Sequence, residues 1–383
     1  MKKSDTLYFD LAVTGQCNMR CAYCSESGMN YENKLNAEII PTFISFIDGV
    51  LKSTFFKDYE NLVIAFWGGE PTLKYQEIIE VVTHFKNDDR VKFMLYTNGF
   101  KIPDSLKDLL LSLKDVKLKD QRNKFYVQIS YDGSPIHDLK RVKIGGGSTS
   151  KEVLESIKWV RENGVPYSLK STITVDTLKY LYEAFLDVTS LSSGGLGEDY
   201  FPTLDYYNAE MDHEFFEQHL EDMKLNLKKI AAHILNLRKR GVTPPTFKWF
   251  NSSAASCTAG IDLFAIDVDG KVYACHGCFY TITKNDHFAQ TIFDDNLDGI
   301  VAMKAKHGAC FGNTPEECNN CEALFCVRCN AVRYSVSEKE TFKEKWNDYT
   351  NRPDLCRVYK EAGLIGRAFK RIEKQYGLPT PRG

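Results

Sequence analysis

The sequence of 383 residues lacks the features that place a protein in a membrane or on nucleic acid. No stretch approaches the roughly 20 consecutive apolar residues that a membrane-spanning helix needs. The lysines near the start are not followed by the apolar core of a signal peptide. Lysine plus arginine number 49 and aspartate plus glutamate 51, which gives a formal net charge of −2. A chain so evenly charged is not expected to bind nucleic acid or an anionic membrane surface.

Cysteine is absent from residues 25–256, although the chain has twelve cysteines. Three lie within the first 24 residues, and nine lie between residues 257 and 356. We expect a cytoplasmic protein, in which thiols stay reduced, so these cysteines should bind metal or take part in chemistry. The gap divides the chain into an N-terminal part with one cysteine motif and a cysteine-rich C-terminal part.

The N-terminal group consists of Cys17, Cys21 and Cys24, just after an apolar run, Leu7–Val13, that predicts a strand. Thiolates select iron–sulfur clusters, zinc or Cu(I). Three thiolates leave one iron of a four-iron cluster open, whereas a structural zinc site needs a fourth ligand, and none is nearby. The alternative is structural, because positions i, i+4 and i+7 share one helix face and buried cysteines are common.

Strand-like and helix-like segments alternate through the first two hundred residues. The strand-like segments are Leu7–Val13, Leu62–Trp67, Val91–Tyr96, Phe125–Tyr131, Tyr167–Val175 and Tyr200–Tyr206. The helix-like segments are Ala37–Lys52, Leu73–Lys86, Ser105–Leu113, Lys151–Asn163 and Leu178–Leu191. This alternation predicts an α/β fold with a parallel sheet and right-handed crossovers.

Small and polar residues follow three of these strands. They are Gly68-Gly69-Glu70-Pro71, Thr97-Asn98-Gly99 and Ser130-Tyr131-Asp132-Gly133. Ligands of α/β folds bind at the carboxyl edge of the strands, so these residues should line one site. Glycines permit close approach of the backbone, and Glu70 can accept hydrogen bonds from an ammonium group. Taken alone, Gly68-Gly69-Glu70-Pro71 is more typical of a simple turn.

Together the motifs resemble those of the radical S-adenosylmethionine (radical SAM) enzymes. That family has a CxxxCxxC loop with an aromatic residue before the last cysteine and a GGEP motif. Residues 130–141, SYDGSPIHDLKR, resemble the SxDGxxxxHDxxR signature of members with extra cluster domains. The resemblance implies a partial (β/α)6 TIM-like barrel and a [4Fe–4S] cluster whose open iron chelates SAM. In that family the reduced cluster cleaves SAM to a 5′-deoxyadenosyl radical, which abstracts a hydrogen atom.

The resemblance also assigns residues. Cys17, Cys21 and Cys24 would hold the cluster. The expected cofactor-binding residues are Tyr23, Gly68, Gly69, Glu70, Pro71, Asn98, Ser130, Asp132 and Arg141. Among them, Glu70 would bind the SAM amino group and Arg141 the SAM carboxylate. His137 and Asp138 in the same signature could instead cap or brace a helix.

The remaining chain divides at a long amphipathic helix, expected from Asp212 to Arg240. We expect four regions along the sequence. They are a radical SAM partial barrel at 1–210, a linking helix and linker at 211–250, a cysteine-rich domain at 251–360 and a C-terminal helix and tail at 361–383. Asp205, Tyr206 and Tyr207, at the end of the sixth strand, are candidate substrate-side groups without motif support.

The cysteine-rich region resembles the SPASM domain of the same superfamily, which carries two auxiliary [4Fe–4S] clusters. Cys257-x12-Gly270-x4-Cys275 matches its first half, with a hairpin expected over Ile266–Tyr273. In the second half two gaps are each one residue short. By this resemblance the first cluster takes Cys257, Cys275 and Cys329, and the second takes Cys318, Cys321, Cys326 and Cys356. The alternative is a pair of zinc ribbons, which use the same CxxC spacing.

The first auxiliary cluster then lacks a fourth thiolate. Cys278 and Cys310 are the candidates, or that iron is open and could take a substrate atom. Each of the two could equally be a buried thiol. His276 stands where sulfatase-maturating relatives have an aspartate base, and an imidazole could also accept a proton.

Enzymes of this architecture mostly act on peptides or proteins. We therefore expect a radical SAM oxidoreductase that forms a crosslink or ring in a ribosomally made peptide. Its expected partners are a peptide or protein substrate and an electron donor of the flavodoxin or ferredoxin type. The chain begins almost at the first strand, so we expect no N-terminal leader-binding domain. Recognition would use the barrel, a separate leader-binding protein or a short motif.

Three other functions stay open. Peptide epimerisation would use a cysteine, Cys278 or Cys310, as hydrogen donor to the product radical. Sulfatase-type formylglycine formation is a second. From a different class, a non-catalytic zinc or iron–sulfur binding module predicts no SAM cleavage and leaves Gly68–Pro71 unexplained.

Overall fold

A computed structural model describes most of the chain. The described residues are 5–24, 39–192, 200, 202–204, 213–251, 258–280, 287–311, 321, 323–324 and 353–377, with backbone alone at 213–216, 280, 308–311 and 353–356. The expectations for Cys257, Cys318, Cys326 and Cys329 lie outside the described residues, as do those for Asp205, Tyr206 and Tyr207.

Strands and helices alternate as the sequence predicts. The strands are β1 Thr6–Thr14, β2 Asn61–Gly68, β3 Val91–Thr97, β4 Phe125–Ser130, β5 Tyr167–Ile173, β6 Pro202–Leu204, β7 Leu263–Ile266, β8 Lys271–Tyr273 and β9 Phe288–Thr291. The helices are α1 Ile39–Lys52, α2 Tyr75–Phe85, α3 Asp104–Leu113, α4 Ser134–Lys140, α5 Ser150–Glu162, α6 Leu181–Leu191, α7 His213–Lys239, α8 Asp298–Phe311 and α9 Pro353–Gln375. Within the described part, no helix is both long and apolar enough to span a bilayer.

The strands form one sheet in the order β6-β5-β4-β3-β2-β1-β7-β8-β9. Neighbours from β6 to β7 are parallel, and β7, β8 and β9 pair antiparallel. The six N-terminal strands with their crossover helices confirm the α/β partial barrel. The sequence did not predict that β7, in the cysteine-rich region, pairs with β1 in parallel, with Tyr8 opposite Leu263.

The alternation of side chains along the strands separates an apolar outer layer from a more polar inner one. In β4 the buried residues are Phe125, Val127 and Ile129, whereas the residues between them are partly exposed. Since successive side chains of a strand point to opposite faces, the first set packs under the helices and the second faces the barrel interior. Helix α1 contributes Phe43 and Ile47 to the outer core.

Local differences from the sequence predictions have identifiable causes. The helix expected over Leu73–Lys86 begins as a 3-10 turn, Pro71–Lys74, because Pro71 fixes the backbone at the turn's start and Glu70 caps it. Helix α4, within the SYDGSPIHDLKR stretch, was not predicted as a helix because it is only seven residues long. The hairpin expected over Ile266–Tyr273 is present, with Gly270 donating to the Asp267 carbonyl in its turn.

Candidate active site

The three N-terminal cysteines lie in a loop at the carboxyl end of β1, and the loop is not helical. The shared-helix-face alternative is therefore wrong for Cys17, Cys21 and Cys24. All three side chains are partly exposed. The backbone N–H groups of Arg20 and Ala22 donate to carbonyls of residues 142 and 140, over 2.7 and 2.8 Å. These bonds hold the loop against the segment that follows α4, with its thiols accessible.

Burial favours the protonated form of the Cys17 and Cys21 thiols when no metal is bound. It raises the pKa of Cys17 to about 12 and also raises that of Cys21. A bound cation would reverse this preference, because a coordinating thiol is deprotonated. Three adjacent, accessible thiols with no fourth described cysteine beside them suit a four-iron cluster with one open iron.

The glycine pair after β2 lets two backbone segments touch. Gly68 has a φ of +126°, and a Cβ built on it would lie 2.2 Å from the Thr14 carbonyl oxygen. A Cβ on Gly69 would lie 2.3 Å from the carbonyl oxygen of Gln16. In this close contact the N–H of Gly69 donates to the Thr14 carbonyl and the N–H of Glu70 donates to the Gln16 carbonyl, each over 2.8 Å. The end of β2 therefore fixes the start of the cysteine loop.

Glu70 braces the ends of β2 and β3, with 1 % of its surface exposed. Its Oε1 accepts hydrogen bonds from Thr72 N, Thr72 Oγ1 and Thr97 Oγ1, and its Oε2 accepts one from Asn98 N over 2.7 Å. Burial raises the pKa of the carboxyl group, and the hydrogen bonds oppose that rise. Asn98 then donates from Nδ2 to Asn18 Oδ1 over 2.7 Å, and it lies 3.7 Å from Cys17 Sγ. The motif residues Glu70 and Asn98 thus meet at the cysteine loop.

Asp132 connects three other elements to the same loop and is fully buried. Its Oδ2 accepts hydrogen bonds from Tyr23 Oη over 2.5 Å and from Arg141 Nε over 2.9 Å. Its Oδ1 accepts one from the backbone N–H of Thr172 in β5 over 2.8 Å. The Arg141 guanidinium also lies 5.1 Å from the centre of the Tyr23 ring. Tyr23, Asp132 and Arg141, all expected to contact the cofactor, form a buried clamp on the last turn of the cysteine loop.

The charge of this clamp is compensated internally. Burial is the largest single effect on the pKa of Arg141 and lowers it, but Asp132, Tyr23 and Cys21 together outweigh burial, so the net shift of the pKa is upward. The guanidinium also stabilises the thiolate form of Cys21. A permanent positive charge therefore lies beside one of the expected cluster ligands.

His137 and Asp138 hold the Arg141 segment and the start of α5 in place through hydrogen bonds. His137 is buried, its Nε2 lies 3.1 Å from Thr149 Oγ1, and that hydroxyl donates to the Arg141 carbonyl. Asp138 accepts hydrogen bonds from the backbone N–H groups of Thr149 and Ser150, where α5 begins. The prediction that they cap or brace a helix is confirmed by these contacts.

A second group of side chains lies on the interior face of β1, β2 and β3 and reaches the cysteine-rich region. His276, after β8, has its Nδ1 3.1 Å from Oδ2 of the buried Asp10. The ring centre of Trp67 lies 4.9 Å from that of His276. Burial, and then the charge of Asp10, raise the pKa of Tyr96 well above its usual value. Sequence reasoning found His276 but missed Asp10, Trp67 and Tyr96; the signal for Asp10 was a single acid within an apolar strand.

The other expected site residues are placed as follows. Pro71 is buried at the first position of its turn, and Ser130 is partly exposed at the end of β4. Cys275 and Cys278 are buried with their Sγ atoms 3.6 Å apart, and Cys321 is partly exposed. The side chains of Cys310 and Cys356 lie outside the described residues.

Residues 11–187 match the model of the Radical SAM superfamily. This part of the chain therefore belongs to the radical SAM superfamily. The matched region contains the cysteine loop, the Gly68–Pro71 motif and the clamp formed by Tyr23, Asp132 and Arg141.

This radical SAM enzyme is also similar to named proteins over most of its length. It is 24 % identical to the radical SAM cyclopropyl synthase TigE of Paramaledivibacter caminithermalis, across 94 % of this chain and 73 % of TigE. It is 23 % identical to a cysteine-type anaerobic sulfatase-maturating enzyme of Clostridium novyi, across 81 % of this chain and 83 % of that enzyme. Its fold matches native anSMEcpe with bound AdoMet and the Cp18Cys peptide, with a TM-score of 0.70, 18 % identity, and coverage of 97 % and 99 % of the two chains.

Proposed function

We propose that this radical SAM enzyme modifies a ribosomally made peptide by forming a crosslink or ring. The observation that carries the proposal is the similarity to peptide- and protein-modifying enzymes over nearly the whole chain, including its cysteine-rich part. When bound, the cluster and SAM would supply a 5′-deoxyadenosyl radical that removes a hydrogen atom from a peptide residue. The chain's own residues would bind both partners and exclude water.

On the SAM side, Cys17, Cys21 and Cys24 would hold the [4Fe–4S] cluster. We propose Gly68, Gly69, Pro71, Asn98 and Ser130 as the residues nearest to SAM. Asp132 and Glu70 already accept several hydrogen bonds each, so we propose that they act mainly by fixing the loop. Arg141 would add positive charge on the side where the SAM carboxylate is expected.

On the substrate side, we propose that the peptide enters the barrel interior beside Asp10, Trp67 and His276. Asp10 accepts the Nδ1 hydrogen of His276 in the tautomer that this contact favours, which directs Nε2 away from Asp10. Nε2 would then take the proton that the substrate loses. Forming a crosslink also removes a second electron from the substrate, and two auxiliary [4Fe–4S] clusters in the cysteine-rich region would accept it. A flavodoxin- or ferredoxin-type donor would reduce the SAM-binding cluster.

The test is anaerobic reconstitution, followed by measurement of iron and sulfide per chain and of 5′-deoxyadenosine release with SAM and dithionite. We expect about twelve irons, four for each cluster, and SAM cleavage. The matched control replaces Cys17, Cys21 and Cys24 by alanine, which should abolish cleavage and keep the auxiliary iron. Zinc in place of iron, with no cleavage, would show that the chain is a binding module instead.

The reaction type is tested with short peptides encoded beside the gene, analysed by mass spectrometry in heavy water. A crosslink lowers the peptide mass by two hydrogens. Epimerisation leaves the composition unchanged but introduces one solvent deuterium. Formylglycine formation from cysteine loses sulfur and gains oxygen. Only the first result supports the proposed reaction.

A further inference from the structure

Lys170 places an ammonium group on the interior wall of the barrel, near the carboxyl end of β5. The parallel pairing of β4 with β5 sets Lys170 opposite Ser130, and the Lys170 carbonyl accepts a hydrogen bond from the N–H of Tyr131 over 2.9 Å. The next residue, Ser171, is buried and donates its hydroxyl to the Tyr131 carbonyl. Because successive side chains of a strand point to opposite faces, the side chain of Lys170 points into the interior together with that of Ser130.

The surroundings of this ammonium group disfavour its charge. Lys170 is only partly exposed, and burial lowers its pKa to about 7. Lysine is rarely enclosed in a protein unless a group of opposite charge is near it. An anion that binds beside Lys170 would favour the charged form, because an opposite charge within a few ångströms stabilises it.

Lys92 shows how the chain supplies such an anion elsewhere on the same face. Lys92 also points inward, from β3, but it lies near the amino end of its strand. Burial lowers its pKa, and Asp120 opposes that shift with its Oδ2 3.2 Å from the Lys92 Nζ. Here a carboxylate of the chain serves the lysine, at the end of the barrel away from the cysteine loop. Lys170 lies at the other end, where the cofactor and the substrate are expected.

Two carboxylates can reach that end of the barrel, the one of SAM and one that belongs to the peptide. Arg141 already places a positive charge at the cysteine loop, where its guanidinium contacts Asp132 and the Tyr23 ring. Strand β5 lies one strand farther along the sheet from β1, which carries that loop, than β4 does. This order favours the peptide as the source of the carboxylate at Lys170.

We propose that Lys170 binds a carboxylate group of the peptide substrate, either an acidic side chain or the C-terminal carboxylate. This inference rests on the proposed function, because it requires a peptide in the barrel interior. The ion pair holds the peptide on the wall formed by β5, across the interior from Asp10 and His276. The enzyme therefore prefers peptides with a carboxylate at one fixed distance from the residue that is modified.

Two other roles of Lys170 define the variants. Its ammonium group could bind the SAM carboxylate, or its amine could accept the proton that the substrate loses. Lys170→Met removes the charge and keeps an unbranched side chain, whereas Lys170→Arg keeps the charge but cannot give up a proton at neutral pH. Lys92→Met is the matched control, since it removes a lysine from the same face at the far end of the barrel.

The first experiment measures the Kd of SAM for the reconstituted wild-type enzyme and the three variants by equilibrium dialysis. We expect the same Kd in all four, which also shows that the variants are folded. Weaker SAM binding in Lys170→Met, restored in Lys170→Arg, would assign Lys170 to the SAM carboxylate and overturn the inference. Wild-type enzyme that releases no 5′-deoxyadenosine with SAM and dithionite would overturn the proposed function itself.

The second experiment measures peptide binding by isothermal titration calorimetry, with SAM present and without reductant. The probe is the peptide encoded beside the gene, with a series in which each Asp or Glu is replaced by Asn or Gln and the C-terminus by an amide. We expect Lys170→Met to raise the Kd about tenfold or more, Lys170→Arg to recover most of the loss, and Lys92→Met to match the wild type.

The peptide series identifies the carboxylate. One member should bind the wild type as weakly as the parent peptide binds Lys170→Met, and it should lose nothing further with that variant. If every member loses the same factor with both enzymes, the inference is wrong. It is also wrong if Lys170→Met leaves the Kd unchanged and slows turnover and Lys170→Arg does not restore the rate, because that result would make Lys170 the proton acceptor.

Discussion

The clamp on the cysteine loop should respond strongly to the loss of one charge. In Asp132→Asn the amide keeps the shape of the side chain but leaves the buried Arg141 guanidinium without its counter-charge. Breaking a buried ion pair by removing one partner costs about 3–5 kcal/mol. For a chain of 383 residues that unfolds as a whole, the unfolding entropy is about 0.8 kcal/mol/K. We therefore expect the Tm of the metal-free protein to fall by about 4–6 °C.

The assay is thermal unfolding of the metal-free, reduced protein, followed by circular dichroism, with iron uptake at the N-terminal site as a second readout. The control is Asp104→Asn, which breaks an exposed pair with Lys107 and should shift the Tm by less than about 1 °C. The double variant Asp132→Asn, Arg141→Met removes both charges and should recover part of the loss. A Tm change in Asp132→Asn no larger than in the control would refute the ion-pair argument. So would a double variant as unstable as the sum of its two single variants.

Three further predictions follow from the same region. Gly69→Ala places a Cβ 2.3 Å from the carbonyl oxygen of Gln16 and should abolish iron binding at the cysteine loop. The control Gly49→Ala, whose added Cβ has no atom within 4 Å, should retain iron binding. Iron analysis of both variants tests this prediction. Burial lowers the pKa of His137 to about 4 in the folded protein, whereas an unfolded histidine has a pKa of about 6.5. Between these two pH values the unfolded chain binds one more proton than the folded chain. The free energy of unfolding should therefore fall by up to about 1.4 kcal/mol per pH unit as the pH decreases from about 6.5 to 4. His137→Gln should flatten that dependence in denaturant titrations; an unchanged slope would assign it to other groups. Glu70→Gln puts an amide where four hydrogen-bond donors converge, so it should lower the free energy of unfolding by about 1–3 kcal/mol. Urea unfolding measures this loss. An unchanged free energy of unfolding would mean that the Glu70 carboxylate does not brace the ends of β2 and β3.

The barrel strands and the SAM-side motifs could be predicted because their signals are local. Val91–Tyr96 is predicted as a strand and is found as the strand Val91–Thr97. The apolar run indicates a strand, and the turn residues that follow indicate where the strand ends. The residues after each strand then fall at one edge of the sheet by topology alone. The meeting of Glu70 and Asn98 follows from that rule.

Contacts between distant parts of the chain could not be predicted in this way. Nothing in the spacing of Asp10 or Trp67 indicates that His276 lies against them, because the pairing of β1 with β7 brings together residues more than two hundred positions apart. Likewise Arg141 was expected to contact SAM, but its bonds to Asp132 depend on how α4 folds back. A helix as short as α4 has too few residues to show a clear period.

The pairing of β1 with β7 has a consequence for dissecting the enzyme. Strand β1 carries the cysteine loop at its end, and its other edge is hydrogen-bonded to the hairpin that precedes Cys275. A fragment that stops before β7 would expose this edge, with unpaired N–H and C=O groups along an apolar strand, and such edges invite association with other chains. We therefore expect a barrel that is cut off before β7 to self-associate more than the whole chain does. A chimera that exchanges the cysteine-rich region has to bring its own matching strand.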